Sequence, residues 1–136
     1  MEKFDDKEKI AKIAKKYGLE LALLFGSRVR GKKYLHPESD FDVAYLAAKD
    51  LSLEEEAKLI TDLMSVFGSE KVDLASVKRA DPLLMKHIFE KHKILYCSDF
   101  AKYHQYQVYA ERKFEEAAPL FELREYLFNK FLKKHA

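Results

Sequence analysis

The chain has 136 residues, of which 48% are hydrophobic and 35% charged, and its formal net charge is +2. This length and composition predict one soluble globular domain with a modest core and a highly charged surface. Since basic and acidic residues are interspersed and nearly balanced, a general nucleic-acid-binding surface is not expected.

Cysteine usage and hydropathy bear on where the protein works. The single cysteine, Cys97, excludes an internal disulfide and is typical of a reducing cytosol. No apolar run reaches the roughly 18 residues of a membrane span, and the first six residues do not resemble a signal peptide. We therefore expect a cytoplasmic protein without membrane contact.

Hydrophobic periodicity and helix-terminal residues divide the chain into alternating helices and strands. Helix ends are marked by Gly18 and Gly68, and helix starts by a Ser52–Glu55 capping box and by Asp81-Pro82. The predicted order is helix 6–17, strand 19–25, a short helix from Ser27, strand 40–46, helix 53–67, strand 71–77, helix 81–91, strand 93–97 and a long helix from residue 98, where any kink should fall near Pro119. For helix 53–67 the predicted apolar stripe is Leu53, Ala57, Ile60, Met64 and Phe67. This order predicts an α/β (α+β) fold, a small mixed sheet flanked by helices.

The last helix is predicted to be a C-terminal extension, residues 98–136, packed on the domain formed by residues 1–97. It carries more apolar side chains than one face against a small sheet needs. Either they all pack back onto the domain or some dock a partner, and for residues 126–132 we favour docking.

Two strand ends carry the residues that indicate chemistry. The first predicted strand ends in Phe25-Gly26-Ser27, and the second predicted strand opens with Asp40-Phe41-Asp42. A Gly-Ser turn offers backbone N–H groups and a hydroxyl to phosphate oxygens. Two aspartates spaced i and i+2 on a strand share one face, with Phe41 turned toward a core on the other.

A third acid and a set of cations complete the pattern. Asp73 lies in the next predicted strand between apolar residues, so three carboxylates on neighbouring strands would need a cation. Hard oxygen ligands of this kind suit Mg²⁺. Four cations follow the Gly-Ser pair, and Arg28 is the best candidate for a triphosphate contact; the others are Arg30, Lys32 and Lys33.

Gly-Ser, a spacer, Asp-x-Asp and a later acid together resemble the nucleotidyltransferase superfamily that includes the DNA polymerase β palm. The chain looks most like the minimal nucleotidyltransferases, the antitoxins of HEPN–MNT toxin–antitoxin pairs. The resemblance covers residues 19–96 and extends more loosely over the tail. The family's usual ten-residue spacer is twelve residues here, positions 28–39, which indicates a longer loop.

The resemblance implies roles for the motif residues. Asp40 and Asp42 would bridge two Mg²⁺ ions about 4 Å apart, which stabilise the entering and leaving oxygens of the transfer. Asp73 would complete the coordination of the catalytic metal ion and help to deprotonate the acceptor hydroxyl. Gly26 and Ser27, and with them Arg28, would hold the phosphates of ATP.

The acceptor rests on the resemblance as well. Family antitoxins transfer AMP from ATP to a tyrosine of a HEPN ribonuclease toxin, and a small catalytic domain without nucleic-acid-binding extensions fits that reaction. Two alternatives stay open: a small-molecule nucleotidyltransferase of the aminoglycoside type, and an antitoxin that acts by binding alone. A small-molecule enzyme would need an acidic pocket in the C-terminal helix.

Other chemistries lack support in the sequence. Four glycines in all leave no Walker loop. The five histidines show no zinc spacing, and we place each at a surface or on a helix face. Of these we expect only His36, in the loop, near the site.

Overall fold

A computed structural model describes residues 6–30 and 40–135 of the chain. In chain order the elements are α1 (Lys7–Lys16), β1 (Leu19–Phe25), α2 (Ser27–Arg30), β2 (Phe41–Ala47), α3 (Leu53–Phe67), β3 (Val72–Ser76), a 3₁₀ helix (Val77–Arg79), α4 (Pro82–Glu90), β4 (His92–Cys97) and α5 (Phe100–His135). The predicted order is confirmed, with boundaries that differ by one or two residues.

The four strands form one mixed sheet in the order β3-β2-β1-β4. The central strand β1 is antiparallel to both β2 and β4, whereas β2 and β3 are parallel. A parallel pair needs a crossover connection, and α3 provides it. The predicted mixed sheet with flanking helices is therefore confirmed.

The sheet is covered on both faces, and the alternation of side chains along β2 shows which residues face which layer. Phe41 and Val43 belong to the core formed with α1 and α3. Ala44 belongs to the core formed with α4 and α5. Asp42 alternates with Phe41 and Val43, so its side chain lies on the α4–α5 face of the sheet.

Local sequence signals set the helix ends as expected. The Ser52 hydroxyl accepts from the Glu55 N–H at 3.1 Å, and the Glu55 carboxylate accepts from the Ser52 N–H at 3.0 Å. Gly68 ends α3 in the left-handed conformation. The Asp81 carboxylate accepts from the Leu84 N–H at 2.8 Å and caps α4. Each cap satisfies backbone groups that a helix end leaves open.

The buried stripe of α3 differs from the predicted one. Its buried side chains are Leu59, Leu63, Val66 and Phe67, whereas Leu53 is 83% exposed. Apolar residues cover more than half of this helix's circumference, so two overlapping stripes satisfy helical periodicity equally well. Packing on α1 and the sheet selects one of them.

A polar network closes the end of the sheet away from Asp42. The hydroxyl of Tyr45, a fully buried residue, donates to Glu56 at 2.7 Å and accepts from Arg79 at 3.2 Å. Asp50 accepts from the Ser76 hydroxyl at 2.9 Å and pairs with Arg79 at 2.9 Å. Burial and the bond to Glu56 raise the pKa of Tyr45 to about 12. These contacts tie the ends of β2 and β3 to α3 and the 3₁₀ helix.

Helix α5 is continuous through Pro119 and changes character along its length. Tyr103 and Ala110 are buried against the sheet and α4. Every residue from 122 to 135 is exposed, including Leu123, Tyr126, Leu127, Phe128, Phe131 and Leu132. These side chains make no core with the described part of the chain.

The domain boundary that we place after Cys97 stays a prediction. None of the described helices is apolar enough over a sufficient length to cross a membrane.

Removing residues 122–136 should leave the stability of the domain nearly unchanged, because the described residues of this segment are all exposed. We expect the Tm by differential scanning calorimetry to shift by less than about 3 °C, whereas Leu59→Ala should cost about 2–5 kcal/mol because Leu59 is fully buried. A truncated chain that loses as much stability as Leu59→Ala would contradict this description of the tail.

Candidate active site

Strand β1 ends in a corner that touches the acid strand. Gly26 has φ of 81°, a backbone conformation that favours glycine. A Cβ at this position would overlap the carboxylate of Asp42. Ser27 follows at once as the first residue of α2. The Gly-Ser turn and the Asp-x-Asp segment, separated in sequence by twelve residues, are therefore in direct contact.

Three carboxylates meet beside this corner. The parallel pairing of β2 with β3 places Asp42 opposite Asp73, and Asp40 lies two residues earlier on the same side as Asp42. One carboxylate oxygen from each of the three acids lies within 4.8 Å of the other two. Asp42 is half-buried, and Asp40 and Asp73 are exposed. The structure therefore brings together the three acids that the sequence singles out.

The cluster stores unfavourable electrostatic energy. Burial, together with the charges of Asp73 and Asp40, raises the pKa of Asp42 to about 6. Burial also raises the pKa of Asp73, and a hydrogen bond to Asp40 and the charge of Asp40 act in the same direction. A divalent cation would relieve this repulsion. Three hard oxygen donors with room for substrate oxygens fit Mg²⁺.

Arg28 lies in a different place from the acids. Its guanidinium lies over the ring of Phe41, 4.1 Å from the ring centroid, and Phe41 stacks on Phe67 at 4.7 Å within the α1–α3 core. A triphosphate contact by Arg28 stays a prediction. The long loop with Lys32, Lys33 and His36 lies outside the described residues, as does the side chain of Arg30.

One residue next to the site escaped the sequence analysis. The ring of His87, on α4, stands edge-on to Phe25 with centroids 5.8 Å apart. Phe25 pairs with Asp42 across the sheet and precedes Gly26. The expectation that no histidine other than His36 lies near the site is therefore wrong for His87, and His36 itself lies outside the described residues. Helical spacing places His87 beside Leu83 and Leu84, but only the packing of α4 on β1 puts it at the site.

Comparison with known proteins identifies this arrangement. The family model described as "Polymerase beta, Nucleotidyltransferase" matches residues 8–101. That range holds the Gly-Ser corner, the three acids and all four strands. None of the curated proteins is similar enough in sequence to match.

Solved structures share the fold over nearly the whole chain. A toxin–antitoxin structure with AMP-PNP is 25% identical with a TM-score of 0.70, covering 93% of this chain and 98% of that one. A MntA–HepT toxin–antitoxin structure, in a double Asp→Glu variant, is 24% identical with a TM-score of 0.71 and the same coverage. A complex of tri-AMPylated Shewanella oneidensis HEPN toxin with MNT antitoxin is 23% identical with a TM-score of 0.68, covering 93% and 95%.

Gly26→Ala should destabilise the protein more than the positive φ of this residue alone would explain, and it should also weaken Mg²⁺ binding. Gly18 is the matched control, since it has φ of 66° and open space where a Cβ would stand. We expect Gly18→Ala to lose about 1 kcal/mol in urea unfolding and to keep the rise in Tm that Mg²⁺ produces. Gly26→Ala should lose more stability and most of that rise, because Asp42 must move. Equal behaviour of the two variants would contradict the contact between Gly26 and Asp42.

The stability of the metal-free protein should depend on pH through Asp42. Its folded pKa of about 6 exceeds the ordinary aspartate pKa of 3.8, so the folded state holds this proton more tightly than the unfolded chain does. The stabilisation is complete below about pH 4 and is lost as the pH rises through about 6. Thermal melts in EDTA between these values should show a smaller decline for Asp42→Asn. A decline of the same size in the variant would assign the effect to other groups.

Proposed function

Because the chain belongs to the polymerase β nucleotidyltransferase family, we propose that it transfers AMP from ATP to a tyrosine hydroxyl of a HEPN ribonuclease toxin and thereby neutralises the toxin. The observation that carries this proposal is the contact between the Gly26 corner and the cluster of Asp40, Asp42 and Asp73. The turn that we assign to phosphate binding thus contacts the carboxylates that we assign to metal binding.

The reaction makes one bond and breaks one. The tyrosine oxygen attacks the α-phosphorus of ATP, and the bond from that phosphorus to the bridging oxygen breaks, so pyrophosphate leaves with the electron pair. The hydroxyl proton passes to a carboxylate, and we assign this step to Asp73. Its side chain is exposed at the edge strand β3, where an acceptor can reach it.

The three acids would hold Mg²⁺, with Asp40 and Asp42 as ligands of both ions and Asp73 as a ligand of the catalytic one. When bound, the metal neutralises charge that develops on the phosphate oxygens. Gly26 and Ser27 hold the β- and γ-phosphates through a backbone N–H group and a hydroxyl. For Arg28, the next residue of α2, a phosphate contact would require its guanidinium to leave the ring of Phe41.

Similarity to toxin–antitoxin structures supports the choice of partner. One of those structures contains a tri-AMPylated HEPN toxin bound to an MNT antitoxin, and another contains AMP-PNP. The fold similarity extends over 93% of the present chain, so it includes most of α5. The exposed apolar side chains of residues 122–135 offer additional surface for a protein partner.

The electrostatic cost of the acid cluster favours catalysis over neutralisation by binding alone. Asp42 and Asp73 both have raised pKa values because burial and neighbouring charge oppose their ionisation. A protein that only occludes its toxin could replace these acids and gain stability. Keeping three carboxylates within 4.8 Å is useful when a metal–nucleotide complex binds between them.

Asp42→Asn should abolish transfer while the domain stays folded, because the change removes a metal ligand at the surface of the core rather than a buried apolar group. We expect a loss of at least about a thousandfold in rate, equivalent to several kcal/mol of transition-state stabilisation. Intact-mass spectrometry of the co-expressed HEPN protein would measure added AMP, and circular dichroism would check the fold.

Glu54→Gln is the matched control, because this exposed residue lies on α3, on the face of the sheet opposite to Asp42. It should modify the partner at the wild-type rate. An unchanged mass increment with Asp42→Asn would remove Asp42 from the mechanism, and an unmodified partner with the wild-type protein would refute protein adenylylation.

A further inference from the structure

A long cleft lies between α4 and α5, on the face of the sheet that carries Asp42. Its widest part is a cavity of about 610 Å³. A second cavity of about 530 Å³ adjoins it, since both are lined by Lys86, Glu90 and Phe114. Volumes of this size are typical of binding sites. We call the two cavities together the α4–α5 cleft.

The cleft borders the acid site. His87 lines its second cavity and also stands edge-on to Phe25, with ring centroids 5.8 Å apart. Phe25 is paired with Asp42 and adjoins the Gly26 corner. One residue of α4 thus contacts the cleft on one side and the end of β1 on the other. A molecule in the cleft would lie next to a nucleotide bound at the corner.

The charges of the cleft exclude the nucleotide itself. Among the described residues that line the two cavities, four are acids and one is a lysine. The acids are Asp81, Glu90, Glu111 and Glu115. The ammonium of Lys86 lies over the Phe114 ring, 4.0 Å from its centroid. A negative, partly apolar cleft repels triphosphate and attracts cationic groups.

The apolar surface that continues beyond the α4–α5 cleft favours a polypeptide over a small polycation as the bound molecule. A third cavity, of about 470 Å³, continues along α5 and is lined by Leu83, Phe114, Phe121 and Phe128 among others. Phe128 lies fourteen positions after Phe114, which corresponds to about 21 Å of helix. A small sugar-like polycation would occupy only the acidic part. An extended or helical segment could contact the acids with basic residues and the aromatic rings with apolar ones.

We propose that the α4–α5 cleft is the acceptor subsite and holds a basic polypeptide segment that carries the acceptor tyrosine. The inference rests on the proposed function for the identity of the reaction, and it adds where the acceptor binds and which charge it carries. Glu111 and Glu115, one helical turn apart on α5, bind the basic side chains. His87 lies where the segment passes from the cleft to the acids and positions the tyrosine.

Synthetic acceptors test the charge preference with the full-length protein. Random copolymers of lysine and tyrosine, or of glutamate and tyrosine, are incubated with Mg²⁺ and ATP labelled at the α-phosphate. Label should enter the lysine copolymer at least about tenfold faster, because opposite charges raise the affinity for the acidic cleft. Equal labelling, or a preference for the glutamate copolymer, would overturn the proposal.

Charge reversal locates the subsite. The variant Glu111→Lys with Glu115→Lys should raise the Kd for a fluorescent lysine–tyrosine copolymer about tenfold, measured by anisotropy in EDTA. Its Kd for ATP should stay within about twofold of wild type, because the nucleotide binds elsewhere. The matched control, Glu8→Lys with Glu54→Lys, makes the same charge change at exposed positions on α1 and α3, on the other face of the sheet from the cleft. Equal effects of the two variants would mean that only net charge matters and would overturn the subsite.

Two further outcomes separate this inference from the proposed function. Cleft-dependent copolymer binding in EDTA, combined with no transfer to either copolymer or to the HEPN partner in Mg²⁺ and ATP, would refute the proposed adenylylation and support the subsite. Transfer to an aminoglycoside such as kanamycin, lost in the Glu111→Lys, Glu115→Lys variant and absent with either copolymer, would overturn the polypeptide occupant and assign the cleft to a small polycation.

Discussion

The parallel pairing of β2 with β3 is the constraint on which the site depends. Its register sets Asp42 opposite Asp73, and Asp40, the residue before β2, joins them. Burial and like charges this close both oppose ionisation, and they raise the pKa values of Asp42 and Asp73. The register must therefore be held by contacts elsewhere. Hydrogen bonds between the two strand backbones help to hold this register. Apolar side chains on the opposite face add further stabilisation, including Phe41, which stacks on Phe67.

The Tyr45 network contributes at the other end of the same two strands. Tyr45 comes from β2 and Ser76 from β3, and both are linked through Asp50 and Arg79 to the 3₁₀ helix. A slip of β3 by one residue would break these bonds and turn Asp73 to the wrong face. The polar network and the acid cluster thus depend on one register, although they lie at opposite ends of the sheet.

The two faces of the sheet divide the work of the protein. Among the described residues, apolar side chains fill the space between the sheet and the helices α1 and α3. A ligand therefore has no path to the acids from that face. The α4–α5 face holds Asp42, the cleft and the histidine that adjoins the corner. Helix α5 continues beyond the sheet and carries apolar side chains that the domain does not cover. Catalysis, acceptor binding and partner contact would then all occur on one side of the molecule.

Local signals in the sequence determined most of the secondary structure and the position of the candidate site. Caps and glycines set the helix ends, alternation set the strands, and Gly-Ser with Asp-x-Asp indicated the site, because backbone chemistry and side-chain spacing act over a few residues. Tertiary packing alone decided what depends on distant segments. It chose Leu59 and Leu63 over Leu53 as the buried face of α3, placed His87 beside Phe25, laid Arg28 on Phe41, and left residues 122–135 exposed. In each case periodicity allowed more than one orientation, and the surface that a neighbouring element offers determined which was adopted.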